Sequence, residues 1–233
     1  MSLERNDTKK PLLRVRDLSF RYDSDGPALL RDLNLDIHQN DFVHIKGESG
    51  CGKSTLLRVL TRLADPDTGT LCFEGRPHTD YSVMEWRTQL VLVPQEPVMI
   101  DNSVRDNLLL PFTFAAFRDV TPPGDDRIRQ WMSRFHLNGV DLHDRARKLS
   151  VGQRMRLAVI RALMVRPKIV LLDEPAGALD ETSRNMFEQE IIKLRQDGEV
   201  AVVLVSHIPF QAHAERLRVL NMSAGILTGD SVG

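Results

Sequence analysis

The sequence predicts an α/β fold with a mostly parallel sheet, antiparallel β strands near the N-terminus and an inserted α-helical subdomain. Three observations lead to this prediction. Compact apolar runs such as "IVLLDEP" and "VAVVLVSH" are typical of parallel strands that are covered on both faces. Segments with strand and helix periodicity alternate along most of the chain, whereas residues 97–164 have mainly helical spacing. A glycine-rich turn joins the strand "FVHIKG" to a helical segment.

The elements follow from local patterns, taken in chain order. Strands are predicted at 12–20 and 33–37, where apolar and polar residues alternate, and at 42–47, a short run that ends in glycine. A helix is predicted over 53–64, where the breaker cluster "DPDTG" stops it. The strands "LCFEG" and "LVLVP" come next. The closing segment "LRVLNMSAGIL" indicates a hairpin about Ser223–Gly225.

The 233 residues are predicted to form one domain, 1–233. Residues 1–96 and 165–233 make its α/β core, and residues 97–164 make the helical subdomain. The net charge of −1, from 31 basic and 32 acidic residues, argues against a nucleic-acid partner held by bulk positive charge. The charged N-terminus is unlike a signal peptide, and no apolar run reaches the length of a membrane span. Any membrane-spanning part is therefore expected on another polypeptide.

The segment "GESGCGKST" (47–55) fits the pattern G-x-x-x-x-G-K-[ST] between a strand and a helix. Its glycines allow backbone N–H groups to surround a phosphate, Lys53 neutralises the terminal phosphates, and the Ser54 hydroxyl can ligate Mg²⁺. The alternative, a plain glycine-rich turn, is disfavoured by the strand–loop–helix context. A nucleotide site in a P-loop NTPase core is predicted. The predicted nucleotide-binding residues of this loop are Gly47, Glu48, Ser49, Gly50, Cys51, Gly52, Lys53, Ser54 and Thr55.

The run "IVLLDEP" (169–175) provides two acids at the end of a buried strand. Asp173 would complete the Mg²⁺ shell beside the phosphate loop, and Glu174 would orient and deprotonate an attacking water. The alternative is structural: a strand followed by an N-capping acid and a proline at the start of a helix. The presence of the phosphate loop favours the chemical interpretation.

Further motifs are "VPQEP" (93–97), "LSVGQ" (149–153), "GALD" (177–180) and "VSH" (205–207). With the phosphate loop and "LLDEP", they occur in the order seen in ATP-binding cassette (ABC) ATPases. The sequence resembles that family over nearly its whole length. The resemblance implies ATP and Mg²⁺ as ligands.

The resemblance also implies roles for single residues. Tyr22 would stack on adenine, although it could instead cap a core edge. Gln95 would contact Mg²⁺ or water, and its alternative is a turn residue between prolines. His207 would contact the γ-phosphate. The resemblance further implies a signature motif that faces ATP, made by Ser150, Gly152 and Gln153, and a D-loop acid, Asp180.

Two positions depart from the family pattern. Val151 stands where glycine is usual, and because a β-branched residue resists positive φ, this position must keep an ordinary conformation. Gly177 stands where serine is commoner and loosens the segment before Asp180. Neither change removes a charged group.

One phosphate loop satisfies one nucleotide, so "LSVGQ" would be redundant on the same ATP. We therefore expect a head-to-tail homodimer in the ATP-bound state, with each ATP between Lys53 of one copy and Ser150 of the other. The basic run that follows the signature, with Arg154, Arg156, Arg161 and Arg166, is expected to line a solvated helix face rather than to bind nucleic acid.

The leading interpretation is an ATP-hydrolysing subunit of an ABC transporter, bound peripherally to the cytoplasmic face of the plasma membrane. The alternative is a cassette that drives a membrane complex without transport, as in cell-division or lipoprotein systems. The apolar segment 108–117 is predicted to take part in docking an integral membrane permease, and the equally weighted alternative is that it belongs to the subdomain's own core. The stretch "VRDNLLLPFTFAAFR" loosely resembles the ATP-binding subunit of a bacterial iron-exporter group. The transported substrate and its direction stay open.

Overall fold

The chain folds into two β-sheets and six α-helices over the part that the computed structural model describes, residues 10–23, 25–177, 179–196, 198, 200–208, 210 and 217–232. The strands are β1 (Leu13–Phe20), β2 (Leu30–Ile37), β3 (Phe42–Lys46), β4 (Thr68–Phe73), β5 (Arg76–Pro77), β6 (Leu90–Val93), β7 (Ile169–Asp173), β8 (Ala201–Ser206), β9 (Leu217–Ser223) and β10 (Ile226–Val232). The helices are α1 (Lys53–Leu60), α2 (Val83–Gln89), α3 (Val104–Leu109), α4 (Asp125–Arg134), α5 (Val151–Met164) and α6 (Glu181–Gln196). The predicted α/β class is confirmed.

The smaller sheet is the antiparallel part that the N-terminal patterns predicted. Its four strands are ordered β2-β1-β4-β5, and every pair in it is antiparallel. In β1, Leu13, Val15, Leu18 and Phe20 are buried, and a register shift after Val15 breaks the strict alternation. This sheet packs its apolar face against the larger sheet and α1 in one core.

The larger sheet has six strands in the order β10-β9-β3-β8-β7-β6, parallel except for the β9–β10 hairpin. Both faces of its central strands are covered. In β8, Val202 and Leu204 enter one core while Val203 and Val205 enter the other. The mostly parallel sheet and the hairpin about residues 223–225 are therefore confirmed.

The segment 97–164 contains α3, α4 and α5, together with 3-10 turns at Leu110–Thr113 and Ala115–Phe117. Its helices share a core with α6 and one face of the larger sheet, where Phe135 and Leu157 join Leu172 and Leu204. The helical content agrees with the sequence pattern. The division into an α/β core and a helical subdomain stays a prediction.

Two local expectations need correction. The helix predicted over 53–64 ends at Leu60, because Arg62 takes a φ of 56° and Leu63 N–H bonds back to the Arg58 carbonyl. The helix α2 was not predicted at all. It begins with a capping box between Ser82 and Glu85. Within the described ranges, no helix has the length and apolarity needed to span a bilayer.

Candidate nucleotide-binding and hydrolytic site

The phosphate loop joins β3 to α1 in a conformation that glycine makes possible. Gly50 and Gly52 have φ values of 82° and 108°, and Gly52 is the N-cap of α1. A Cβ atom at Gly47 would collide with the backbone oxygen of Met222 and lie 2.7 Å from Cys51 Sγ. The loop is therefore held in a tight curve at the N-terminus of α1, where N–H groups and the helix dipole favour an anion.

Lys53 lies over this curve. Its Nζ atom donates to the carbonyl oxygens of Gly47 at 2.7 Å and Glu48 at 2.9 Å, and the residue is 5% exposed. The ammonium group is thus fixed beside the loop backbone, where it can neutralise a bound phosphate.

Ser54 and Asp173 are brought together although 119 residues separate them: Ser54 Oγ donates to Asp173 Oδ1 over 2.9 Å. Burial raises the pKa of the Asp173 carboxyl; the Ser54 hydrogen bond and the charges of Arg58 and Lys53 oppose this effect, and the charge of Glu174 adds to it. A hydroxyl and a carboxylate side by side are hard oxygen donors, the set that Mg²⁺ prefers. These two residues fit Mg²⁺, and their role as its ligands stays a prediction.

Glu174 follows β7 at the same end of the sheet. Its Oε2 atom lies 2.9 Å from His207 Nδ1, and its backbone φ is 45°. The structural alternative for the two acids is wrong, because among the described residues neither of them caps a helix. Instead α6 begins at Glu181, and Asp180 Oδ1 accepts the Ser183 N–H at 2.9 Å.

Gln95 and Tyr22 approach the site from two other segments. Strands β6 and β7 are parallel with Val93 opposite Leu172, so Gln95 leaves the sheet at the edge that carries Asp173. Gln95 itself is exposed. Tyr22 is 64% exposed, and its Oη atom lies 3.1 Å from Thr55 Oγ1. An aromatic face is therefore free for stacking beside the phosphate loop.

The signature segment opens α5 with a capping box. Gln153 N–H donates to Ser150 Oγ at 3.2 Å, and Ser150 N–H donates to Gln153 Oε1 at 2.8 Å. Val151 is the first helical residue and 49% exposed, which agrees with the ordinary conformation expected for it. A Cβ at Gly152 would lie 2.5 Å from a methyl carbon of Leu179, so this glycine packs against the D-loop.

No hydrogen bond or ion pair in the described part of the chain joins Ser150, Gly152 or Gln153 to the phosphate loop. Asp180 also stays apart from that loop, and its hydrogen bonds with Ser183 lower the pKa of its carboxyl. The structure thus gathers one group of predicted residues and leaves the signature and the D-loop acid elsewhere. The gathered residues are Tyr22, the phosphate loop, Asp173, Glu174 and His207, and Gln95 follows the end of β6 at the same edge of the sheet.

One polar contact near this site was missed by sequence reasoning. His44, fully buried in β3, has its Nε2 atom 3.0 Å from Ser206 Oγ, next to His207. The only signal in the sequence was a histidine inside the apolar run "FVHI". No role was assigned to it.

A groove of about 610 Å³ opens between α2, β6, α5 and the 3-10 turns that follow α3. Met84 and Phe114 are apolar walls that are 52% and 54% exposed. Arg161 lies in the groove and donates to the Val98 carbonyl at 3.1 Å. Arg161 is half-buried in this groove rather than fully solvated as expected, and burial lowers its pKa.

Comparisons with known proteins agree with this architecture. A family model described as "ABC transporter" matches residues 30–177. The chain is 31% identical over 216 residues to the probable iron export ATP-binding protein FetA of Escherichia coli (strain K12), covering 92% of this chain and 93% of that protein. It is 34% identical over 198 residues to the ABC-type transporter kk1G of Curvularia clavata, covering 84% of this chain but only 15% of that protein.

Among solved structures, a bacterial Atm1-family ABC exporter with ATP bound superposes with a TM-score of 0.79 at 22% identity, over 95% of this chain and 39% of that one. This likeness supports the fold. The family match covers well over half of the chain, and the FetA relative is similar along almost its entire length. The chain is an ATP-binding domain of the ABC transporter family.

Proposed function

We propose that this chain hydrolyses ATP to power a separate membrane permease. The observation that carries the proposal is the hydrogen bond between Ser54 and Asp173, which unites the phosphate loop with the acidic end of β7. Glu174 and His207 stand as a hydrogen-bonded pair at the same strand end. The groups proposed to bind phosphate, hold a metal and accept a proton therefore lie at the same end of β7.

The proposed reaction is attack of water on the γ-phosphorus of ATP. Glu174 orients the water and accepts its proton as the new P–O bond forms and the bond to ADP breaks. Lys53 and His207 donate hydrogen bonds to the oxygens of the transferred group, where negative charge develops. Ser54, Asp173 and Gln95 would hold Mg²⁺, which when bound would supply positive charge against the phosphate oxygens.

The test is phosphate release from ATP by the purified chain, together with equilibrium binding of ATP. Glu174→Gln should bind ATP with nearly unchanged affinity while hydrolysis falls by about 10²–10⁴, because the proton acceptor is lost. Lys53→Ala should mainly weaken binding. The control is Lys168→Ala, an exposed lysine outside the site, which should leave both quantities unchanged. Near-normal turnover in Glu174→Gln would contradict the assignment.

We further propose that two copies pack head to tail, with Ser150, Gly152 and Gln153 of one copy facing the ATP held by Lys53 of the other. The capping box supports this, since it fixes the first turn of α5 with Ser150 exposed. The separation of the signature from the phosphate loop within the chain also supports it. An isologous arrangement would build both sites at once.

The groove beside α2 and α5 is the proposed docking site for the integral membrane permease. It combines apolar walls with the cation of Arg161, whose burial a partner carboxylate would offset. We therefore propose that a short helix of the permease, apolar with one acidic side chain, fills it. The chain would then lie on the cytoplasmic face of the membrane without nucleic acid as a partner.

One relative supports a separate permease. The FetA protein is named as a probable iron export ATP-binding protein. Iron export is accordingly the first transport activity to assay with the assembled complex.

A further inference from the structure

We propose that His44 is a positioning residue for His207, acting through the Ser206 hydroxyl and the turn that this hydroxyl closes. The inference rests on the proposed function, because it takes His207 and Glu174 as hydrolytic groups. It adds a residue that lies outside every motif of the sequence.

His44 is a polar side chain in an apolar place. It is 0% exposed in the middle of β3, between Leu204 of β8 and Val219 of β9 in the pairing register. Its ring packs near Phe210, with centroids 6.0 Å apart. Among the described residues its Nδ1 atom has no hydrogen-bond partner, so within them the contact with Ser206 is the one polar contact of the ring nitrogens. An apolar residue would fill this strand position without burying an unpaired nitrogen.

The protons of this contact can be assigned. Ser206 Oγ also lies 2.5 Å from the carbonyl oxygen of Ile208, which can only accept. The single hydroxyl proton of Ser206 therefore goes to Ile208, and His44 Nε2–H donates to Ser206 Oγ. A neutral ring with the proton on Nε2 is the form that fits, and burial lowers the pKa of His44 to about 4, which keeps the ring neutral.

Two of these hydrogen bonds hold His207, one through its neighbours in the chain and one through its own ring. The Ser206–Ile208 bond spans the residue between them, and His207 Nδ1 lies 2.9 Å from Glu174 Oε2. His44 fixes the rotamer of Ser206, Ser206 fixes the turn, and the turn fixes the direction from which His207 meets Glu174. Loss of the His44 donor should therefore misplace the hydrolytic pair while the phosphate loop keeps its own contacts.

The experiment compares His44→Leu with His44→Gln in the full chain, since the amide nitrogen of glutamine can replace the Nε2 donor. His44→Leu should lower kcat between about twofold and tenfold, the value of one hydrogen bond, with KM for ATP unchanged. His44→Gln should restore most of kcat. His78→Leu is the matched control: it removes another histidine contact, 3.3 Å from the Leu71 carbonyl, away from the site, and should leave kcat unchanged.

A second readout does not depend on turnover. In proteins labelled with ¹⁵N-histidine, long-range proton–nitrogen NMR spectra should show His44 as the Nε2–H tautomer, and the His207 signals should move in His44→Leu but not in His44→Gln. If the wild-type chain hydrolysed no ATP, the proposed function would fail. The spectra would still test whether His44 positions His207.

The opposite results overturn the inference. They are equal kcat in wild type and His44→Leu, an equal loss in His44→Leu and His44→Gln, or His207 signals that stay in place in His44→Leu. If His44→Leu does not fold, Ser206→Ala replaces it, because that variant removes the hydroxyl to which His44 donates. It should reproduce the loss of kcat, and normal turnover in Ser206→Ala would equally refute the positioning role.

Discussion

The phenol oxygen of Tyr22 lies 3.1 Å from the hydroxyl oxygen of Thr55, while the tyrosine ring stays 64% exposed. The edge of the ring rests against Phe20, with centroids 5.1 Å apart at 85°. The hydroxyl and the neighbouring ring therefore hold an aromatic face in place at the side of the phosphate loop.

Stacking of adenine on this face predicts a difference between two variants. Tyr22→Ala should weaken ATP binding about tenfold, because base–aromatic stacking contributes roughly 1–3 kcal/mol. Tyr22→Phe keeps the ring and should bind ATP nearly as well as the wild type. Equilibrium binding of ATP measures both. Equal loss in the two variants would mean that the hydroxyl contact, not the stacking, is what ATP binding needs.

The head-to-tail dimer predicts that two inactive variants recover ATP hydrolysis when they are mixed. Lys53→Ala and Ser150→Arg should each be inactive alone, whereas an equal mixture should recover about a quarter of the wild-type rate, since half of the dimers carry one intact site. Ser150→Asp serves as a second signature variant, because aspartate can keep the N-cap of α5 while its charge repels phosphate.

The control for this mixture is Lys53→Ala combined with the double variant Lys53→Ala, Ser150→Arg, which should recover nothing. Light scattering should also show ATP-dependent dimers of Glu174→Gln that disappear when Ser150→Arg is added. Full-rate hydrolysis by a monomer at high dilution would exclude the shared site.

Docking in the groove predicts that Phe114→Asp separates ATP hydrolysis from transport. The charge would lie among the apolar groove walls and should abolish co-purification with a co-expressed permease from an adjacent reading frame. ATP binding by the isolated subunit should stay within about twofold, as for other surface substitutions. Val120→Asp is the control, because Val120 is 47% exposed but does not line the groove. Retained association in Phe114→Asp would place the docking site elsewhere.

The buried His44 predicts a pH dependence of stability. Its pKa is lowered from 6.5 to about 4, first by burial and then by the charge of Lys46. Between these values the unfolded chain binds a proton that the folded chain does not, so the free energy of unfolding falls as the pH decreases from 6.5 towards 4. Once the pH is below both pKa values, this effect has lowered the free energy of unfolding by about 3 kcal/mol in all.

Urea unfolding at about pH 7.5 and about pH 5 checks this sign, with about 2 kcal/mol expected from His44 over that interval. His44→Gln carries no titrating ring, and its stability should fall correspondingly less over the same interval. Identical pH dependence in the two proteins would show that His44 does not titrate as inferred.

Much of the sheet could be predicted because its strands are short apolar runs with glycine or an acid at their ends. The runs before Gly47 and Asp173 bury residues on both faces of one sheet, and this periodicity is visible in the sequence. The contact between Ser54 and Asp173 could also be predicted from the sequence, because parallel strands bring their carboxyl ends to one edge of the sheet.

Other features of the structure have no comparable signal in the sequence. Helix α2 buries only Trp86, so it has no apolar stripe to detect. The end of α1 depends on Arg62 in a left-handed conformation where glycine would be the usual signal. The contact of His44 with Ser206 joins residues 162 positions apart, and only the pairing register of β3 with β8 brings them together.

The φ of 45° at Glu174 has a consequence for laboratory evolution of this protein. A residue with a Cβ atom is strained in this region by about 1–2 kcal/mol, whereas glycine occupies it freely. Screens that reward only soluble expression would therefore enrich glycine at residue 174. If Glu174 accepts the proton as proposed, those chains would fold well and hydrolyse no ATP, whereas screens for ATP hydrolysis would keep the glutamate and accumulate compensating changes at other positions.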